Sequence, residues 1–411
     1  MKAGFFGTLM FILFFAARAQ EKCGSFIYQQ HSQQSKSALP TSMQDIQKLT
    51  LPSTLLGRLE GTIIKIPVVV HNVYHTPDEK VSDAQIFSQI EALNTYFRRR
   101  NKDTANAPLY FRHLAADCEI EFQLATTAPG NKFTNGITRT YTPITKWTPD
   151  DKVKFNNEMG KDAWDSKSYL NIWVCNLDKL AGYASYPGSD PSKDGIVISY
   201  KAFGTLGSVK ANYAQGKTAV HEVGHWLGLK HIWGDANCGD DGIDDTPTQA
   251  SYTVGCPNTV RVTCGNSPYG DMYMNYMDIT NDECVNMFTK GQKNKMRAQL
   301  TNGDRMGILT TKAFLLPAVS FIPIESDDPK WLEPKLYPNP AFNNITLDLS
   351  YDPRWVGKKI FIYNLTGQTI DIVSITNKIV TININHYKSG IYFLAAKKED
   401  GMSIKSRFVK L

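Results

Sequence analysis

The sequence predicts an α/β (α+β) domain, a mixed twisted sheet with helices packed alongside it and one ligand-bearing helix, followed by a small all-β sandwich. Three observations carry this expectation. β-Branched runs alternate with amphipathic helical stretches over residues 62–230. A helix-period segment from His221 is closed by Gly228. Beyond the Pro-rich and acidic stretch Pro317 to Pro334, short β-rich segments alternate with Gly and Asn turns to the chain end.

The chain has 411 residues, enough for two or three domains. Its 45 basic and 39 acidic residues are interspersed, and a net charge of +6 without a long basic run argues against nucleic acid as a partner. Met1 to Ala19 combines Lys2, an apolar run from Phe5 to Ala17 and the small-residue pattern Ala17-Arg18-Ala19, so residues 1–19 read as a signal peptide. That run is shorter than the roughly 18 to 20 residues needed to span a bilayer, and no other stretch qualifies, so the mature protein is expected to lack a transmembrane segment. Residues 20–57, rich in Gln, Ser and Lys, read as a pro-segment.

Thr62 to Tyr74 is a β-branched strand, and Ser82 to Asn101 is a helix with Ile86, Ile90, Leu93 and Phe97 on one face. Ile120 to Ala125 reads as a second strand, Thr148-Pro149 as the start of a second helix, and Tyr169 to Asn176 as a third strand. Gly182 to Tyr186 and Gly195 to Tyr200 add two more strands before the last helix, an order of βαβαβββα. His71, His75 and His113 lack a short ligand spacing and are read as structural.

His221-Glu222-Val223-Gly224-His225-Trp226-Leu227-Gly228-Leu229-Lys230-His231 is the stretch richest in chemistry. Residues four apart share a helix face, so His221 and His225 can aim at one point. Gly228 can take the left-handed conformation that ends the helix and lets His231 swing back as a third nitrogen. Three imidazoles with an open fourth position suit a catalytic zinc, whereas structural zinc sites are closed by four ligands rich in cysteine. Glu222 in the H-E-x-x-H arrangement is the candidate general base.

Seven cysteines in an exported chain imply disulfides with one thiol left over. Cys238, Cys256, Cys264 and Cys284 crowd after the zinc motif, Cys118 and Cys175 lie in separate strand-like segments, and Cys23 remains. A Cys23 thiolate could fill the open zinc position and keep a precursor latent, a cysteine switch. The loop Trp233 to Thr246 gathers carboxylates between glycines; Asp241, Asp244, Asp245 and Thr246 could hold a structural calcium, or the loop could be a solvated acidic turn.

The eleven-residue motif resembles the H-E-x-x-H-x-x-G-x-x-H signature of the metzincin metallopeptidases. With His231-Ile232-Trp233-Gly234, the Asp-Gly loop, the cysteine pattern and Met-Asn-Tyr-Met-Asp at 274–278, the likeness narrows to the pappalysin family over Thr62 to Leu315. Cys23-Gly24 matches that family's latency cysteine. The resemblance implies a methionine turn beneath the histidines, for which Met274 is the first candidate because Tyr276 follows two residues later, with Met272 and Met277 as rivals. It further implies oxyanion stabilisation by Tyr276, and disulfides joining Cys238 with Cys264 and Cys256 with Cys284. Cys118 and Cys175 depart from the pattern and are expected to form an additional disulfide between neighbouring strands. An upper edge strand near Tyr183 and Ala184 would receive a peptide substrate by strand addition. The family's preference for cutting before Lys or Arg would need an acidic pocket wall, with Asp278, Asp282 and Glu283 as candidates, and suggests self-processing between Gly57 and Arg58.

Tyr337-Pro338-Asn339-Pro340-Ala341, Tyr363-Asn364-Leu365-Thr366-Gly367 and Ser389-Gly390-Ile391-Tyr392 resemble the C-terminal sorting domain of type IX secretion. That resemblance implies the type IX machinery as a partner and export through the periplasm of a Gram-negative bacterium. The expected organisation is a signal peptide (1–19), a pro-segment with a cysteine switch (20–57), a catalytic domain (58–315), a linker (316–334) and a β-sandwich (335–411). The expected function is a secreted zinc-dependent endopeptidase made as a latent zymogen and acting on protein or peptide substrates. The alternative is a catalytically silent cell-surface binding or adhesion module, against which the intact Glu222 speaks. In a thermolysin-like hydrolase the third ligand is a glutamate rather than a nearby histidine.

Overall fold

The computed structural model describes residues 21–25, 28, 61–318, 334–349, 355–397 and 403–411. The expected signal peptide, the expected Gly57–Arg58 cleavage site and most of the expected linker lie outside the described residues. Among the described residues, no helix is long and apolar enough to cross a membrane.

Strand β2 (Ile64–Tyr74) is the spine, preceded in the chain by the short β1 (Glu21–Cys23). Every residue of β2 except Lys65 is buried, as expected of a strand covered on both faces. Ile66, Val68 and Val70 join the main core, while Val69 and Val73 enter smaller clusters on the other face, the alternation that strand geometry imposes. Helix α1 (Asp83–Phe97) starts at Ser82, whose hydroxyl accepts from the Gln85 amide, and lays Ile86, Leu93 and Phe97 into the main core. After the one-turn α2 (Leu109–Arg112) come β3 (Ile120–Leu124), the hairpin β4 (Thr127–Ala128) and β5 (Lys132–Phe133), and β6 (Ile137–Tyr141). β3, β6 and β7 (Leu170–Cys175) all run parallel to β2. β9 (Ile196–Ser199) runs parallel to β7, and β8 (Leu180–Ala184) antiparallel to β9. Helix α3 (Lys217–Trp226) covers this sheet with Ala219, Val220 and Val223, and α4 (Lys290–Asn302) closes the core.

The strand expected to lie open at the sheet edge is not open. β1 pairs in parallel with β8, Cys23 opposite Gly182, and the Gly24 amide donates to the Gly182 carbonyl at 2.9 Å. The start of the expected pro-segment is thereby the outermost strand of the sheet.

Two expectations need correction. Thr148-Pro149 opens no α-helix; two single 3₁₀ turns, Lys152–Lys154 and Asn156–Glu158, stand there instead. Asp151 (φ 68°) and Met159 (φ 64°) are left-handed at the two ends, which breaks helix propagation. Lys154 turns inward to pair with Asp151 at 2.9 Å, in reach of the Tyr28, Trp173 and Tyr183 rings.

The second correction is that Cys118 and Cys175 are free thiols rather than a disulfide. The register sets Ile120 level with Ile64 and Val174 level with Asn72, opposite ends of β2 about 26 Å apart along the strand. A disulfide needs Cα atoms within about 7 Å. The two residues also fill different clusters, Cys118 the main core and Cys175 the one holding Trp147 and Trp173.

Seven further strands follow. β10 (Lys335–Tyr337), β11 (Asn344–Asp348) and β14 (Ile379–Asn383) make one antiparallel sheet. β12 (Lys359–Asn364), β13 (Thr369–Ser374), β15 (Gly390–Lys397) and β16 (Ser403–Lys410) make a second. Ile345, Leu347, Trp355, Ile360, Ile362, Leu394 and Phe408 form their own core. β10 and β13 were not read from the sequence; the alternation in β13 (TIDIVS) puts apolar residues on the exposed face and so gives no inward pattern.

Candidate active site

Helix α3 begins after Gly216 (φ 70°), and all ten of its residues are buried. His221 and His225 stand one turn apart on its inner face. Gly228 (φ 89°) closes the helix, its amide donating to the His225 carbonyl at 2.8 Å, and the chain then returns His231 to the same point. The Nε2 atom of His225 lies 3.0 Å from Nε2 of His221 and 3.2 Å from Nε2 of His231. The Cys23 Sγ lies 3.6 Å from the same His225 nitrogen, and all four donor atoms fall within 4.8 Å of one another.

Each imidazole spends its Nδ1 proton elsewhere. His221 donates to the Tyr276 carbonyl at 2.6 Å, His225 to the Leu229 carbonyl at 2.9 Å, and His231 to the Asp235 carboxylate at 2.5 Å. The Tyr186 hydroxyl lies 2.8 Å from the same His225 nitrogen. The three Nε2 atoms therefore turn lone pairs toward one another, which is repulsive without a cation between them. Their spacing is close to the about 3.3 Å expected across a tetrahedral ion with Zn–N bonds near 2.05 Å. Burial, aided by the neighbouring His231, holds His225 neutral, pushed down to about 3. Burial and the Glu222 charge push the Cys23 thiol well above its ordinary value, so a thiolate here needs a cation beside it. The donor set fits zinc.

Glu222 is fully buried, and its Oε2 accepts from the Ser25 hydroxyl at 2.7 Å. The Ser25 oxygen accepts in turn from the Ala184 amide of β8 at 2.9 Å. Cys23-Gly24-Ser25 thus engages both the histidine cluster and the candidate base. Tyr28 anchors the same segment, donating to Asp151 at 2.9 Å and packing on Tyr183.

The Met-turn region departs from expectation. Tyr276 offers the site its carbonyl, not its hydroxyl: the ring packs between Tyr96 and Phe288, and its oxygen is buried with no hydrogen-bond partner. The oxyanion role expected of Tyr276 thus finds no hydrogen bond of its hydroxyl to support it. Met272, Met274 and Met277 are all buried, and Met277 is the one against the active-site helix: a Cβ on Gly224 would come within 2.5 Å of its sulfur. Met274 instead uses its carbonyl to receive the Asn286 amide at 2.7 Å.

The acidic loop is held by its own bonds. Asp241 accepts from the Thr246 hydroxyl and the Ile243 amide, and Asp245 caps α4 through Thr289 and Gly291. Asp244 is exposed. Cys238 is bonded to Cys264 and Cys256 to Cys284, with Cα separations of 5.6 and 5.8 Å. Asp278 is consumed by Gln249, Thr253 and Ile279, Asp282 is buried, and Glu283 is exposed. His71 is held by Thr138 and Asn171 and kept neutral by burial, at about 4, while His75 bonds the Thr142 carbonyl. His113 stacks edge-on against Tyr110.

Ser25, Tyr186 and Asp235 were not singled out from the sequence. Ser25 carried a usable signal, its place two residues after Cys23; Tyr186 reaches its contact only through the fold.

Residues 154–301 match the peptidase family described as Pregnancy-associated plasma protein-A, and residues 335–410 match a secretion system C-terminal sorting domain. An extracellular metalloprotease of Neurospora crassa is 33% identical over 213 residues, spanning 47% of this chain and 74% of that protein. One from Arthroderma benhamiae is 30% identical over 252 residues, spanning 59% and 80%. Among solved structures, mirolysin in complex with compound 9 is 48% identical with a TM-score of 0.61, covering 63% of this chain and all of that one. A Tannerella forsythia promirolysin mutant is 43% identical with a TM-score of 0.66, covering 72% and 100%.

Proposed function

This chain belongs to the pappalysin family of zinc metallopeptidases and carries a type IX sorting domain, and from that premise we propose a secreted endopeptidase held latent by Cys23 and cutting proteins with Glu222 as general base. The observation that carries the reading is the convergence of three imidazoles and one thiol beside a buried carboxylate.

His221, His225 and His231 would hold zinc, and Cys23 would take the fourth position in the precursor. When bound, zinc supplies the Lewis acidity that lets a water be deprotonated near neutral pH. Glu222 receives that proton and returns it to the departing amine. Its helix-borne backbone fixes the carboxylate beside the histidines, and β8 offers backbone amides and carbonyls to an extended peptide once β1 is gone. Cutting before Lys or Arg remains part of the reading, with Asp282 the buried acidic candidate and Glu283 the exposed one. Calcium at Asp241, Asp244, Asp245 and Thr246 is carried forward from the acidic, glycine-rich sequence of the loop alone, since Asp241 and Asp245 are already engaged by Thr246, Ile243, Thr289 and Gly291. Met277 is preferred to Met274 as the methionine under the site. The division into signal peptide, pro-segment, catalytic domain, linker and sandwich is carried forward on the same basis.

The test is a peptidase assay on the full-length chain with and without chelator, followed by N-terminal sequencing of the active form. Activity that chelator abolishes and zinc restores is expected, with the active form starting at Arg58. Activity indifferent to chelator would overturn the reading. The sorting role has its own check: deleting residues 336–411 in the native host should leave the protein cell-associated, and unchanged secretion counts against it.

A further inference from the structure

We propose that Asp235 is the positioning residue of the third metal ligand, acting with Trp233 as a clamp that fixes the tautomer and plane of His231; this rests on the zinc-peptidase reading above. The need for a clamp follows from where the ligands sit. His221 and His225 are borne by α3, so helix geometry and close packing set their rings. His231 lies beyond Gly228, in a segment with no regular secondary structure. Nothing in its own backbone orients the ring.

Two side chains from the next four residues do so. The Trp233 indole lies flat on the imidazole, ring centroids 4.3 Å apart and planes 7° from parallel. Asp235 Oδ1 accepts from Nδ1 at 2.5 Å. One neighbour sets the plane of the ring, and the other sets which nitrogen keeps the proton. The pair is well shielded, with side-chain exposures of 3% for His231 and 12% for Asp235.

The backbone is bent to make this contact. Gly234 donates to the His231 carbonyl at 2.9 Å, and both Gly234 (φ 58°) and Asp235 (φ 59°) are left-handed. A Cβ at Gly234 would come within 2.5 Å of the Asp240 amide nitrogen, so the turn admits only glycine there. Asp is among the few side chains that tolerate the conformation at 235. Three residues on, Cys238 is bonded to Cys264, which fastens the loop behind the turn.

The three imidazoles are not equivalent in their outer partners. His221 and His225 donate to backbone carbonyls, and only His231 donates to a carboxylate. A charged acceptor makes a stronger bond and raises the donor power of the opposite nitrogen toward a metal.

Zinc release from the full-length, zinc-loaded chain to a chromogenic chelator tests this, together with thermal melting of the zinc-free chain. Asp235→Ala should lose zinc about 10- to 100-fold faster than the unaltered chain, the range for loss of such outer partners, while the zinc-free variant still melts cooperatively, at a temperature lowered by the strain of a left-handed Ala. Asp235→Asn keeps an acceptor oxygen without the charge and should fall between the two. At saturating zinc, Asp235→Ala should recover most of its kcat with KM unchanged. A folded Asp235→Ala chain that holds zinc as tightly as the unaltered one overturns the proposal. Should Asp235→Ala not fold, Asp235→Asn carries the test: zinc release indistinguishable from the unaltered chain defeats it. An unaltered chain that takes up no zinc would instead defeat the zinc-peptidase reading.

Discussion

Glu222→Gln is expected to retain one zinc per chain and lose turnover by at least about 10²- to 10⁴-fold, the range for removing a positioned proton carrier. The upper end applies because, in the proposed mechanism, one carboxylate would serve both proton transfers. The amide is close to isosteric, and Glu222 is fully buried with Oε2 already accepting from Ser25, so an amide oxygen can keep that bond and the helix can keep its packing. Because the lost interaction belongs to the transition state, kcat should fall with KM little changed. Metal analysis beside steady-state kinetics on a peptide checks both halves. A zinc-loaded variant with full turnover removes Glu222 from the mechanism.

The second large effect is on latency. Cys23→Ala precursor should show at least about tenfold more peptidase activity than the unaltered precursor, because a methyl group cannot serve as the fourth metal ligand. It should still fall short of the processed enzyme. The variant keeps the pairing of β1 with β8 and the Ser25 hydroxyl on Glu222, so both the substrate edge and the base stay covered. Comparing precursors and processed enzyme at matched concentration reads out the order. A variant precursor as silent as the unaltered one would mean the thiol does not hold latency.

The histidine cluster was legible because its spacing encodes its own geometry: two ligands a helical turn apart, then a glycine to bring back the third. β2 and α1 were legible for a similar reason, since local periodicity matches the face each one buries. What failed depended on distant partners. Thr148-Pro149 looks like a helix start, but left-handed Asp151 and an inward Lys154 override it. α4 was missed because its inner face is largely polar, with Gln292, Lys295, Arg297 and Gln299 buried beside Met296 and Leu300. Arg297 reaches the Thr62 and Glu119 carbonyls, contacts that no window of sequence displays. The pairing of Cys118 with Cys175 rested on both being strand-like, and only the register separates them. At 272–277, three methionines and two tyrosines share one turn, and their directions are set by what α3 and Phe288 leave room for.

Under the latency proposed above, the parallel seat of β1 against β8 makes inhibition a question of concentration. The proposed cut between Gly57 and Arg58 would remove a tether, not a strand. While covalently joined to the domain, the inhibitory segment faces its site at an effective concentration that does not fall as the protein is diluted. Once severed, it competes as a separate molecule and leaves at a rate set by its own hydrogen bonds and the Tyr28 anchor. Dilution on leaving a crowded compartment would then finish what the cut begins.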